Sequence, residues 1–405
     1  MTGVIAPPPD AQLGAPGIRG GDGRAVTATA RPARTCVDLF AGAGGLALGL
    51  GGAGFDHLAL VEHDARKVAT LQRNGFAQAV CADVGAVDYT PWAGGVDLLA
   101  GGPPCQPFSS GGLRRGAADA RDGWAATLDA TLALRPRAVL FENVQGMLSA
   151  RFEAYRAAIS ARLSELGYDH GWLPLDAADH GVPQHRRRVF LIGFLDRAAW
   201  DAFAVPPKVA PQPTVRGALR ELGPPNGRGG HEVRGRAREY EGHTASSLDA
   251  PSKTIVGGGR GLGGGSGTVR LDSGDVRYFT VREAATLQTF PAEWRFDEVW
   301  SRAFVEIGNA VPPLLARALG EAVARALDVA DGFSEPARAP AVGCGGFVGC
   351  ALAAVHGLVT TRAAVPAARA TSRAVVAAAS AEGAVKWVRG TALMDTPLER
   401  IARLV

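Results

Sequence analysis

The sequence predicts an α/β fold, a mostly parallel sheet covered by helices on both faces, joined to a smaller, loop-rich module. Three observations carry that expectation. Short apolar runs alternate with helix-length segments from Arg34 onward, the rhythm of strand–helix–strand units. The first run ends in the glycine cluster Gly42, Gly44 and Gly45, the punctuation of a tight strand-to-helix loop. After about Asp196 both periods fade while Pro and Gly multiply, which marks a change of architecture. At 405 residues the chain also exceeds the roughly 250–300 residues at which single cores stop growing, so one large domain plus a smaller one is the expected division.

Residues 1–33 are rich in Gly, Pro, Ala and Arg without any period and read as a flexible leader outside the fold. The apolar run Thr35–Phe40 predicts the first strand and Gly45–Gly52 the first helix. The unit repeats with a strand at Leu58–Val61, a helix over Asp64–Asn74, and strands at Ala79–Cys81, Val96–Ala100 and Ala138–Phe141. Val189–Phe194 closes this first domain, residues 34–195, as another buried strand. Residues 196–275 form the loop-rich module, with Arg234, Arg236, Arg238, Arg260 and Arg270 spread among polar loops. Regular structure returns at Thr280, where Glu283 three positions on has capping-box spacing, and continues through Pro313–Val329, so 276–330 are helices returning to the first domain. The tail, 331–405, loses the pattern; its uncharged stretch Ala341–Val359 carries five glycines and His356, a poor membrane span. Thr396–Glu399 alone there has the form of a helix start.

Lys plus Arg total 43 against 39 Asp plus Glu, a net charge of +4, too little for a histone-like or tail-driven nucleic-acid binder. A hydrophobic share of 47% excludes wholesale disorder. Only four of the basic residues are Lys, a skew that reads first as coding bias in a GC-rich genome and second as a use of phosphate-gripping guanidinium groups. The five cysteines, at 36, 81, 105, 344 and 350, fit neither a disulfide framework nor a zinc site. A reducing compartment is therefore expected. Pro7, Pro8, Pro9 and Asp10 interrupt any signal-peptide core, so cytoplasm is the expected location.

Four short segments carry chemistry. In Phe40-Ala41-Gly42-Ala43-Gly44-Gly45 the glycines let the backbone approach a ligand, and Glu62, past the next strand, is placed to accept from ribose hydroxyls. Asp83, after the third strand, adds an acid suited to an adenosine ring edge; the pattern equally suits an NAD enzyme. The second segment, Gly101-Gly102-Pro103-Pro104-Cys105-Gln106-Pro107-Phe108-Ser109, puts Cys105 on a proline-stiffened loop at the carboxyl edge of the sheet, where open α/β folds keep their ligands. A thiolate there is a nucleophile for an electron-poor ring carbon. Third, Glu142 in Phe141-Glu142-Asn143-Val144 stands on the same edge, where a carboxyl can hydrogen-bond or protonate a ring nitrogen. Fourth, in Gln184-His185-Arg186-Arg187-Arg188 the alternation of an extended segment sends Gln184, Arg186 and Arg188 to one side, an arrangement suited to phosphate and carbonyl oxygens.

In order and spacing, from about Thr35 to Leu319, these segments resemble the DNA cytosine-5 methyltransferase family of bacterial restriction–modification type. The resemblance runs through Asp38–Gly45, Glu62-His63-Asp64, Asp83, Pro103–Gln106, Asp119-Ala120-Arg121, Glu142-Asn143-Val144, Gln184–Arg188, Arg282–Pro291 and Gly308-Asn309-Ala310-Val311-Pro312. One departure is Ala310, where the family usually has Ser. The resemblance implies a Rossmann-like S-adenosylmethionine-dependent methyltransferase with a mixed, mostly parallel sheet, 34–195 being its cofactor-binding catalytic domain and 196–275 its target recognition domain. It implies that S-adenosylmethionine is the methyl donor, held by Phe40, Gly42, Gly44, Glu62, Asp83, Pro104 and Asn309. It implies that the target cytosine is flipped out of duplex DNA and that Cys105 attacks carbon 6, with Glu142 on ring nitrogen 3, Arg188 on the base oxygen and Arg186 supporting the backbone. Gln106, Ser109, Arg121, Asn143 and Gln184 fall among the substrate-binding positions, and no metal is needed. The expected partners are double-stranded DNA and a cognate restriction endonuclease, the alternative being an orphan enzyme; no membrane partner is expected, and a monomer is. Competing readings are the same chemistry on transfer RNA, a non-catalytic DNA-binding relative, and an NAD dehydrogenase, which leaves Pro103–Gln106 unexplained.

Overall fold

Alternating burial along the apolar runs builds the sheet. The computed structural model describes residues 33–104 and 123–334, apart from 228, 236, 238, 240–243 and 258–266, and the described residues fall in one compact unit beginning at Ala33. The expected leader before Ala33, the stretch Ala341–Val359 and the helix start at Thr396 lie outside them. Among the described residues one sheet has seven strands: β1 (Arg34–Leu39), β2 (Phe55–Glu62), β3 (Ala79–Cys81), β4 (Leu98–Gly101), β5 (Ala138–Val144), β6 (Asp169–Asp176) and β7 (Arg187–Phe194). Their order is β3-β2-β1-β4-β5-β7-β6. The pairs from β3 to β5 are parallel, whereas β7 runs antiparallel to both β5 and β6. The sheet is therefore mixed and mostly parallel, as expected.

Side chains that alternate along a strand feed opposite faces. Val37, Leu39, Leu99, Phe141 and Leu191 pack on one face with Trp124, Leu128, Ile159 and Leu163, which come from α3 (Trp124–Leu134) and α4 (Glu153–Glu165). Cys36, Leu98, Ala100, Leu140 and Ile192 pack on the other with Leu46, Leu50, Leu315 and Leu319, from α1 (Gly45–Gly52) and the long α9 (Pro313–Ala330). Pro313 opens α9, where its missing N–H costs nothing. The helix α2 (Ala65–Arg73) starts on Asp64, whose carboxylate accepts from the Arg66 N–H. Strand β6 was not foreseen in the sequence. Pro174 interrupts its apolar pattern and is tolerated because β6 pairs only with β7, at the sheet edge.

Beyond β7 come α5 (Arg197–Ala202), α6 (Val215–Leu219), a two-stranded hairpin of β8 (Thr268–Arg270) and β9 (Val276–Tyr278), then α7 (Val281–Leu287) and α8 (Trp300–Asn309). The capping box expected at Thr280 and Glu283 is present, and Arg277 grips Glu283 with two bonds of 2.7 Å. A third apolar cluster joins Val215, Ile255 and Val269 to Phe279, Phe290, Trp300 and Ile307, so the loop-rich stretch shares a core with α7 and α8. Of the arginines spread through this stretch, Arg234 pairs with Glu232 and Arg270 with Glu239. Arg236, Arg238 and Arg260 lie outside the described residues.

Candidate active site

The strand order reverses direction at β1 and β4, and the crevice at their carboxyl ends is the favoured ligand position in such sheets. A pocket opens there, lined from successive strand ends by Asp38 on β1 and Phe40 just after it, Glu62 at the end of β2, Pro103 and Pro104 after β4, and Glu142 on β5. The glycine loop turns sharply into α1. Gly44 caps that helix at φ 89°, and a Cβ there would lie 2.7 Å from Leu71 Cδ2, so conformation and space both demand glycine. Phe40 lines the pocket at φ 55°, an uncommon conformation for an aromatic residue and one that clusters at functional sites. Glu62 is buried, and its two oxygens accept from the Gly42 N–H and the Asp64 N–H, each at 2.9 Å. That clamp fixes the glycine loop to the end of β2. The remaining lone pairs of Glu62 face His63 Nδ1 at 3.2 Å and Lys67 Nζ at 3.7 Å, both pocket residues.

Asp38 was not singled out in the sequence as a site residue. It is 1% exposed, neither carboxylate oxygen has a hydrogen-bond partner, and it lines the pocket. Burial pushes its carboxyl up to about 8, with the negative charge of Glu62 adding to the rise. An unpartnered buried carboxylate is costly, and a ligand cation would relieve that cost. The signal in the sequence was an acid within an otherwise apolar strand. The residues thus fit S-adenosylmethionine: Asp38 suits the ammonium of its amino-acid end, Glu62 its ribose hydroxyls, and Phe40 a flat base.

The opposite side of the pocket carries the second group of expected residues. Glu142 Oε1 lies 2.8 Å from Arg188 Nε, and both line the pocket. Arg186 also lines it, but its guanidinium donates to the Ile255 carbonyl at 3.1 Å and the Gly308 carbonyl at 2.8 Å. The backbone it supports is the protein's own. Asn309 and Ala310 complete the lining beside Val311.

Four predicted residues, Gly44 at the start of α1 among them, do not line the pocket but hold its parts. Asn143 is fully buried and donates to the Pro103 carbonyl at 3.3 Å, fixing the start of the loop that leads to Cys105. Gln184 is fully buried, with its amide engaged by Gln288 and Ile255. Asp83 caps the short turn Val84–Ala86 through the Gly85 N–H at 2.8 Å. Cys105, Gln106, Ser109 and Arg121 lie outside the described residues.

A mixed sheet with its pocket at the β1/β4 reversal, an acid at the end of β2 and a carboxylate–arginine pair facing it defines a Rossmann-like methyltransferase. Comparison with known proteins gives the particular family. The profile of the C-5 cytosine-specific DNA methylases matches residues 34–254 and 232–325, and the chain belongs to that family. It is 34% identical over 322 residues to the Type II methyltransferase M.NaeI of Lentzea aerocolonigenes, covering 72% of this chain and 75% of that protein. It is 33% identical over 318 residues to the Type II methyltransferase M.NgoMIV of Neisseria gonorrhoeae, covering 72% of this chain and 98% of that protein. The fold matches the crystal structure of the Dnmt2 methyltransferase of S. pombe with a TM-score of 0.55 at 20% identity, over 73% of this chain and 99% of that one. The chain is accordingly a DNA cytosine-5 methyltransferase with S-adenosylmethionine as methyl donor. Among the described residues no helix is long and apolar enough to cross a membrane.

Proposed function

We propose that this enzyme methylates carbon 5 of a flipped cytosine within a short duplex sequence, as the modification half of a restriction–modification pair. The observation that carries the reading is the Glu142–Arg188 pair at 2.8 Å, held on the pocket wall at the carboxyl edge of the sheet. The Type II names of M.NaeI and M.NgoMIV support the pairing with an endonuclease. In this reading Cys105 bonds to carbon 6 of the base, and the electron pair of the 5,6 double bond moves to carbon 5. Glu142 holds a proton at ring nitrogen 3, Arg188 contacts the base oxygen, and Asn143 positions the nucleophile loop through the Pro103 carbonyl. The bound S-adenosylmethionine supplies an electrophilic methyl group at carbon 5. Loss of the carbon-5 proton then returns the electron pair and releases Cys105. Asp38, Phe40, Gly42, Glu62, Pro104 and Asn309 line the cofactor's pocket, with Gly44 and Asp83 shaping the loops around it.

Residues 196–275 are the target recognition region, and 34–195 and 276–330 the catalytic domain. The enzyme acts as a cytoplasmic monomer on double-stranded DNA, with Gln106, Ser109 and Arg121 on the substrate side. The transfer of methyl label from S-adenosylmethionine to duplex DNA, single-stranded DNA and transfer RNA tests the substrate class. Duplex DNA as preferred acceptor supports the proposal; transfer RNA as preferred acceptor overturns it.

A further inference from the structure

A buried relay of side-chain amides links the turn Gly308–Ala310 in the pocket lining to the segment Ser252–Gly257. The Ile255 N–H donates to Gln184 Oε1 at 2.9 Å. Gln184 Nε2 donates to Gln288 Oε1 at 2.5 Å. Gln288 Nε2 in turn donates to two carbonyls, Ile307 at 2.9 Å and Ala310 at 2.8 Å. Both glutamines are fully buried. The groups at the two ends fix the sense of the chain. A backbone N–H at one end can only donate and two carbonyls at the other can only accept, so neither amide can be turned over without leaving buried groups unpaired.

The two ends do different work. Gln288 spans the turn at the end of α8, and Gly308, Asn309 and Ala310 of that turn line the cofactor pocket. Ile255 belongs to Ser252–Gly257, which lies against the segment before β7: Ser252 N–H donates to the Pro183 carbonyl at 2.9 Å, and His185 N–H to the Ser252 carbonyl at 2.8 Å. The two ends also touch directly. A Cβ on Gly308 would fall 2.0 Å from the Gly257 nitrogen, so only glycine permits this approach of backbones. Arg186 adds a parallel strut, bonding Ile255 and Gly308 from one guanidinium.

We propose that Gln288 and Gln184 are positioning residues that set the cofactor turn and the recognition segment against each other, Gln288 serving both substrates and Gln184 the DNA alone. The inference rests on the reading that residues 196–275 recognise DNA. Neither amide lines the pocket, so their action is on binding rather than on the chemical step, and a group that supports binding uniformly moves KM more than kcat.

The test is steady-state methylation of plasmid DNA by the full chain and by Gln288→Met, Gln288→Glu and Gln184→Met, with thermal melting alongside. Gln288→Met should raise KM for both S-adenosylmethionine and DNA by about five- to thirtyfold, the range for loss of buried hydrogen bonds, with kcat within about threefold. Gln184→Met should raise KM for DNA while KM for the cofactor stays within about twofold. Gln288→Glu, which keeps a single donor when buried and protonated, should fall between wild type and Gln288→Met. Unchanged KM values despite a lowered melting temperature, a fall in kcat alone, or a KM for S-adenosylmethionine raised by Gln184→Met as much as by Gln288→Met would overturn the proposal. So would failure of all three variants to fold, since the pair would then be a folding element only. If the wild type itself methylates DNA without sequence preference, the reading of the recognition region fails instead, which separates the two ideas.

Discussion

Glu142 and Arg188 meet across two antiparallel strands, Nε to Oε1 at 2.8 Å, with Arg188 opposite Val144 in the β5–β7 register and thus two residues diagonal to Glu142. Glu142 is 12% and Arg188 14% exposed, so the pair is neither sealed in the core nor screened like a surface bridge. Its position at the pocket wall allows one partner to orient the other while both stay open to a base. Replacing Glu142 by Gln keeps the shape and removes the proton exchange. Turnover should fall about 10²- to 10⁴-fold, with S-adenosylhomocysteine binding, read by calorimetry, unchanged. Arg188→Lys should not rescue an Arg188→Ala loss, because the ammonium lacks the planar fork.

Asp38 predicts a proton-linked cofactor site. With its carboxyl pushed up to about 8 by burial and by Glu62, it is protonated at neutral pH in the free protein, and a bound ammonium favours the ionised form. Binding of S-adenosylhomocysteine at pH 7 should therefore release protons, seen as a dependence of binding enthalpy on the buffer's ionisation heat. Asp38→Asn should abolish that release and weaken binding. The free protein should also lose stability as pH rises from about 4 toward 8, because over that window the folded state holds a proton that the unfolded state has lost. Asp38→Asn should flatten the slope; an unaltered slope would assign the effect elsewhere.

Thr289 sits at φ 67°, a left-handed conformation that is a true outlier for a β-branched residue. Its hydroxyl accepts from the Leu314 N–H at 3.1 Å, so a strained backbone is held in exchange for satisfying a free donor in the first turn of α9. Asn tolerates the left-handed region and keeps an acceptor. Thr289→Asn should raise stability by about 0.5–1 kcal/mol, whereas Thr289→Val, which keeps the branch and loses the acceptor, should lower it. Denaturant midpoints of the two variants read the difference directly.

Arg34 ties the far end of the sheet to α9. Buried at the start of β1, it bonds Asp328 at 2.6 Å and Asp331 at 2.9 Å, while Arg137 reaches Asp331 as well as Asp97. Arg34→Met should cost about 3–5 kcal/mol, the loss seen when one partner of a buried pair is removed, with cofactor affinity unmoved. The hydrogen bond from Arg137, followed by that from Arg34, holds the Asp331 carboxyl below the usual carboxylate range. Its contribution is therefore present above the ordinary aspartate value and lost as pH falls through the lowered one. Asp331→Asn should remove that part of the acid-unfolding slope.

The sheet and the position of Glu142 were legible because a buried strand writes itself as an apolar run, and residues at the carboxyl end of a parallel run stand at the ligand-binding edge. Arg188, at the amino end of β7, reaches that edge because β7 runs antiparallel to β5. Gln184 shows where the sequence falls short. Its place two residues before Arg186 suggested a shared face, but β7 begins only at Arg187, and the preceding chain pairs with Ser252. Strand alternation therefore does not reach Gln184, whose partner Gln288 is 104 residues away. Asp38 opens the segment Asp38–Gly45 that carries the family resemblance, yet no role of its own was legible for it there. It lies inside the apolar run that announced β1, and its distinguishing feature, a buried carboxylate without a partner, is a property of the packed pocket.

In the proposed mechanism Cys105 chemistry places a methyl group on cytosine within one short duplex sequence. Single-base mapping of 5-methylcytosine in plasmid DNA from a methylation-free host, expressing either the wild type or Cys105→Ser, tests it most directly. One short sequence methylated by the wild type and left bare by Cys105→Ser is the predicted result; equal methylation by both proteins, or unmodified DNA despite folded wild type, would contradict it.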